Sequence, residues 1–314
     1  MGPTMNRSLT RTWLAIATLA GLAAAAACGR TDESTPAGPT ATGPAAPAPP
    51  PMTSGTRAIL VDHTTTALAQ IPAQWVERAR AMLHIAYGHT SHGSQLTTGM
   101  TGLAAFKGPA YAWRAGGAGG ALDLRDTPFS GASDLGNPDR AAWAAATRTY
   151  LAAQPAVNVV IWSWCGQVSS ATPADIDAYL SAMSALEQEF PKVRFVYMTG
   201  HLDGTGLAGN LHLRNEQIRQ HCQSRGKVLY DFADIETYDP DGVYYGDRIP
   251  NDACDYDSNG DGRRDRNWAV DWQGRHTVGV DWFQCPAAHS QPVNANMKAY
   301  AAWWLFARLA GWEG

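Results

Sequence analysis

The chain has 314 residues, of which 45% are hydrophobic and 17% charged, a balance that fills a core of one or two domains. Its net charge is −4, and residues 1–28 hold Arg7 and Arg11 but no acid, so the remainder carries −6. That excludes nucleic acid as the main partner, because gripping a phosphate backbone takes a basic surface.

In chain order, the first segment reads as a targeting signal. Arg7 and Arg11 form a positive start, and Trp13–Ala27 is an apolar run too short to span a bilayer comfortably. The run ends in five alanines before Cys28 and Gly29. Small residues directly before a cysteine resemble a bacterial lipobox, which implies lipidation of Cys28 and an anchor at the outer membrane or cell surface. Ala25 stands where a lipobox has Leu, so ordinary signal-peptidase cleavage is the other reading. Residues 29–56 are rich in Pro, Ala, Thr and Gly with almost no large apolar side chain, and predict an extended tether.

From Arg57 onward the pattern alternates between strands and helices. Met82–Tyr87 predicts a strand closed by Gly88, and Val157–Ser163 a strand covered on both faces. Val193–Met198 and Lys227–Phe232 predict two more. Between them Thr172 caps a helix with Pro173 at its first position, and Ile176, Tyr179, Leu180, Met183, Leu186 and Phe190 recur at helical spacing. Leu211–Arg225 predicts a second helix, stopped by Gly226, and Asn294–Ala310 a third, stopped by Gly311. This alternation implies an α/β fold over residues 57–314: a doubly wound, mostly parallel sheet flanked by helices. In such sheets ligands bind beyond the carboxyl ends of the strands. The polar residues there are His89, Ser91, His92 and Ser94, then Trp164, Cys165 and Gln167, then His201 and Asp203, then Asp231, Asp234 and Glu236, with His289 ahead of the last helix.

The segment Gly88-His-Thr-Ser91-His-Gly-Ser94 follows a strand and exposes a hydroxyl among small neighbours. A backbone N–H at such a turn helps bind an oxyanion. His289, on the loop entering the last helix, is placed to take the serine proton. Order and positions together resemble the SGNH (GDSL-like) hydrolases, which carry a serine after the first strand and a histidine before the final helix. The resemblance implies a three-layer sandwich of flavodoxin-like type and a serine esterase. The family's Gly-Asp-Ser block corresponds to Gly88-His-Thr-Ser91, and its third block to Ser163-Trp-Cys-Gly-Gln167. Carried over, Ser91 is the nucleophile and His289 the base, with Asp281 the nearest upstream acid, since Pro286 stands where the family has Asp. Ser91, Gly117 and Gln167 then supply the oxyanion donors. No cofactor is required, and the substrate is an acylated carbohydrate or another small ester. The only membrane contact is through the lipid anchor.

Other readings stay open at this point. Ser91 also reads as a turn residue capping the next helix, and Ser94 competes with it, though Ser91 stands closer to the strand end. His89, His92 and His201 suit a metal-dependent hydrolase. Most of the twelve Trp are expected to fill the core, while a non-catalytic glycan-binding surface, with Trp162, Trp164, Trp268 or Trp272 in contact, is the lesser reading. The loop Cys254–Asp265 offers Asp255, Asp257, Asn259, Asp261 and Asp265 at mostly alternate positions, with Gly260 and Gly262 for tight turning. It resembles EF-hand and dockerin loops and implies a structural calcium. Four cysteines follow Cys28. In an oxidising compartment they predict disulfides, with Cys254 and Cys285 the first choice and Cys165 read equally as a core thiol.

Overall fold

The computed structural model describes residues 57–314. The expected signal, Cys28 and the tether lie outside these residues. The described chain runs β1 (Ile59–Val61), α1 (Ala73–Met82), β2 (His84–Gly88), α2 (Ser94–Lys107), β3 (Trp113–Arg114), β4 (Leu122–Asp126) and α3 (Ala142–Ala153). It continues through β5 (Val159–Trp162), α4 (Pro173–Glu189), β6 (Arg194–Met198), α5 (Asn210–Ser224), β7 (Val228–Tyr230) and α6 (Phe232–Glu236). A long excursion carries β8 (Asp255–Tyr256), β9 (Arg266–Asn267) and α7 (Trp268–Arg275), and α8 (Pro292–Leu309) closes the fold.

The first seven strands form one parallel sheet in the order β1-β7-β6-β5-β2-β4-β3. Side chains alternate across it, as a strand's two-residue period demands. Ile85, Tyr87, Val159, Ile161, Val196 and Met198 face one core with α1, α2 and α8. Ala86, Val160, Trp162, Phe195, Tyr197 and Leu229 face the other, with α3, α4 and α5. Both faces are covered, so the strands read as apolar runs. This is a three-layer α/β sandwich, as the alternation predicts.

Local sequence explains the element ends. Thr172 Oγ1 accepts from the Asp175 N–H while Asp175 accepts from the Thr172 N–H, a reciprocal cap at the start of α4. α2 and α8 pack closely because Gly99 has no side chain. A Cβ there would lie 2.2 Å from the Ala295 carbonyl oxygen, a backbone atom that cannot swing aside. Gly99→Ala is expected to cost about 1–3 kcal/mol through overpacking. Urea denaturation checks this, with a lowered midpoint at unchanged slope.

Two expectations fail in this part of the molecule. All four described cysteines are free thiols, so Cys254 and Cys285 are not paired. Cys254 Sγ lies against Ser290 Oγ, and Cys285 Sγ accepts from Asn296. The tryptophans assigned to glycan stacking are core residues: Trp162, Trp164, Trp268 and Trp272 are all 5% exposed or less. Trp164 donates to the Met198 carbonyl and packs edge-on against Tyr179, which leaves no free face.

Candidate active site

The strand order decides where the chemistry collects. From β2 the chain passes through α2 on one face, by way of β3, to β4. It returns through α3 on the other face to β5, on the opposite side of β2. The loops leaving β2 and β5 therefore diverge and open a crevice at their carboxyl ends, the topological switch point of a doubly wound sheet. Thr90, Ser91 and His92 leave β2 there, and Cys165 and Gln167 leave β5.

A hydrogen-bonded brace holds these two loops together. The Thr90 hydroxyl donates to buried Asp134, 2.6 Å away. Asp134 also accepts from the Gln167 amide at 3.1 Å, and the Gln167 carbonyl accepts from the Cys165 N–H at 2.8 Å. Gln167 is thus engaged at both ends of its amide and positions Cys165 instead of pointing at an oxyanion. Gly93 allows the turn to press inward, since a Cβ there would meet Ser163 Oγ at 2.3 Å. Ser94 donates to the Ser91 carbonyl at 2.6 Å, which commits its hydroxyl to the turn and leaves Ser91 as the serine facing the crevice.

At the centre stands His92. Its Nδ1 lies 3.2 Å from Cys165 Sγ, and its Nε2 lies 2.9 Å from an Asp252 carboxylate oxygen. Ser91 Oγ is 3.7 Å from the same sulfur. The His201 ring stacks on His92 at 3.6 Å, nearly parallel to it, and exposed His289 stacks at 4.4 Å. Burial pushes the His92 pKa down and His201 adds to this, while the hydrogen bond to Asp252 opposes it. Burial alone raises the Asp252 carboxyl, but the bond from His92, the two nearby imidazoles and the Ala253 N–H together hold it below the ordinary value.

The tautomers follow from the partners. A carboxylate at Nε2 requires an N–H there, so neutral His92 presents its Nδ1 lone pair to the thiol. His201 Nδ1 faces the Leu202 carbonyl at 2.8 Å and must donate, so in the neutral ring its Nε2 carries the lone pair. That Nε2 is buried and has no hydrogen-bond partner among the described residues.

A metal ion at this point would have to be held by the same groups. One nitrogen each from His92 and His201 and an oxygen of Asp252 lie within 4.8 Å of one another. Imidazole lone pairs lie in the ring plane, and a nitrogen–metal bond is about 2.0–2.1 Å. Two rings stacked 3.6 Å apart and 4° from parallel cannot both aim such lone pairs at one ion. His89, the third expected ligand, turns away: its two nitrogens face the Thr90 carbonyl and Asp126, both acceptors. A second grouping, Asp62, His63 and Asp234, borders a cleft of about 500 Å³ at the β1–β7 side of the sheet. There Arg219 pairs with Asp231 and Glu216, and His63 pairs with Asp234.

Other expected residues fall elsewhere. Gly117 lies beside Asp123 at the start of β4, the end of the sheet opposite Ser91, and cannot serve an oxyanion there. The exposed Asp281 accepts from the Thr277 N–H within its own turn and makes no bond to His289. Asp203 does the same with Thr205. In the acidic loop, Asp257 accepts from the N–H groups of Asn259, Gly260 and Gly262, and Asp265 from Ser258. Asp261 accepts from the Arg263 N–H, and Asp255 from Asn267.

Two participants had no clear sequence signal. Asp252 sits in an irregular loop 160 positions from His92, and Asp134 lies in a loop as well. Lys298 did leave a trace, as a lone charge in the apolar stretch of α8. Glu236 was on the rim by position, and its carboxylate accepts from Lys298 at 2.6 Å and from the Leu202 N–H at 2.9 Å.

The fold thus defines a class: a three-layer α/β sandwich with its reactive side chains at the switch point. No protein-family model matches the chain, and no curated protein is similar to it.

Proposed function

We propose that this chain is an extracytoplasmic carboxylic-ester hydrolase that works by nucleophilic catalysis at the switch point, with Ser91 as nucleophile and His289 as base. The observation that carries this reading is the gathering of Ser91, His92, Cys165, His201, Asp252 and His289 on one rim, drawn from five separate segments of chain. Nucleophile, imidazole and orienting carboxylate in one crevice are what acyl transfer needs. Among the described residues nothing accepts the Ser91 N–H, which leaves that donor for a developing oxyanion. The substrate we assign is an acyl ester on a carbohydrate or another small molecule, reached from a lipid anchor at Cys28.

A fluorophosphonate probe tests the serine. Labelling of the wild type, retained in Ser94→Ala and lost in Ser91→Ala, is expected, with no effect of chelator. Loss of labelling or turnover with chelator transfers the reading to a metal-dependent hydrolase.

Structural calcium in the 254–265 loop is part of the same proposal. Alternating oxygens of Asp257, Asn259 and Asp261 over two positive-φ glycines, Gly260 and Gly262, favour it. Calcium is expected to raise Tm by a few degrees relative to chelator. An unchanged Tm assigns the loop to backbone hydrogen bonding alone.

A further inference from the structure

The hydrolase reading leaves one feature unused. The hydrogen-bonded chain through His92 starts at the thiol of Cys165 and not at Ser91. We propose that Cys165 is an activated thiol, with His92 its general base and Asp252 the carboxylate that orients and fixes that base, and that it takes an acyl group as a thioester.

Two independent observations carry this, the relay with the tautomer it fixes and the neighbouring His201. The distances run nucleophile to base to orienting acid, 3.2 Å and 2.9 Å. The carboxylate selects the tautomer whose lone pair faces sulfur. His201, more than nine-tenths buried, directs its unpartnered Nε2 toward the same crevice, and a Cβ on Gly166, next to Cys165, would lie 3.9 Å from it. A lone pair there suits a hydrolytic water. The other three thiols are structural by contrast: burial pushes Cys254 up to about 12, Cys285 up to about 11, and Cys222 higher still.

The step balances as follows. The thiol proton passes to His92 Nδ1, and the sulfur electron pair forms the S–C bond to the acyl carbon. The ester C–O bond breaks, and the leaving alkoxide takes the proton from His92. Water then attacks the thioester. It gives a proton to an imidazole, its oxygen bonds to carbon, and the S–C bond breaks to restore the thiol. This acyl-transfer step rests on the hydrolase reading but changes its machinery: Cys165 and His92 take the roles given above to Ser91 and His289. The reactivity of the thiol rests on neither assignment.

Alkylation of the folded protein by iodoacetamide, followed by peptide mapping, tests the thiol directly. The expected result is selective modification of Cys165, with a rate constant at pH 7 at least tenfold above that of N-acetylcysteine under the same conditions. His92→Gln should lower that rate at least tenfold, and Asp252→Asn should lower it less. A wild-type rate no faster than that of the free thiol, or one unmoved by His92→Gln, overturns the proposal. Because the wild-type rate alone can decide, a variant that misfolds does not blunt the test. Trapping with an activated acetyl ester reads the second half. An adduct on Cys165 that neutral hydroxylamine removes supports the thioester, and an adduct confined to Ser91 with Cys165 still free refutes it. A reactive Cys165 in a protein that turns over no ester supports the activated thiol and counts against the hydrolase reading.

Discussion

Lys298→Met is expected to destabilise the protein by about 3–5 kcal/mol, the cost of leaving one half of a buried ion pair uncompensated. Lys298 and Glu236 are both fully buried, between α8 and α6. The ammonium donates to Glu236 and to Gln95, and lies 3.6 Å from the centre of the Phe232 ring. Burial pushes its pKa down and Glu236 opposes this, so the charge depends on its partner. Without the ammonium, the Glu236 carboxylate loses its counter-charge in a site that water does not reach. The effect should also reach the crevice. Glu236 holds the Leu202 N–H, next to His201, and Gln95 donates to the Ala288 carbonyl, next to His289, at 2.5 Å. Urea denaturation measures the loss. Adding Glu236→Gln to Lys298→Met should recover much of it, because a neutral amide still accepts from Leu202 and no charge remains stranded. A single variant within 1 kcal/mol of wild type would show that the pair contributes little.

With Cys165 taking the acyl group and His92 as its base, His92→Gln is expected to lower kcat/KM on a chromogenic acetyl ester about 10²–10⁴-fold, the usual contribution of a positioned general base. The wild-type pH profile gives the sharper check. The base works only when neutral, so activity is lost as pH falls through the His92 pKa. Burial, the largest cause, and His201 push that pKa below the ordinary 6.5, while Asp252 and Glu236 push it up. The acid limb should therefore lie below pH 6.5, with a plateau above it. The histidines facing His92 are His201 and His289, and the acids acting on it are Asp252 and Glu236. Asp252→Asn removes the largest opposing cause, so the limb should move to still lower pH. The plateau should fall as well, because the tautomer is no longer fixed. A limb that stays put in Asp252→Asn would separate His92 from the rate.

Much of the architecture was legible because it depends on short-range pattern. The apolar run ending at Trp162 demanded cover on both faces, and its alternating residues do divide between the two cores. Thr172 and Pro173 announced the start of α4, and the cap is present. The strands that escaped notice had reasons. β4 reads Leu-Asp-Leu-Arg-Asp, and its Asp123 looks unsuited to a core until His84 and the Gly116 N–H are seen to hold it. β1 has three residues at the sheet edge, too few to show a period.

The site divides along the same line. By itself the sequence determined the α/β alternation, the rim on which reactive residues collect, and the membership of Ser91, His92, Cys165, His201 and His289. Each of these follows a strand or precedes a helix, and chain direction alone puts such residues at the carboxyl end of a parallel sheet. Which groups touch was decided only by tertiary structure. Strand order put the β2 and β5 loops side by side, which paired His92 with Cys165. The excursion between α6 and α8 folded back to bring Asp252 to the far side of the imidazole. These contacts are set by the packing of segments far apart in the chain, and no local pattern of residues encodes them.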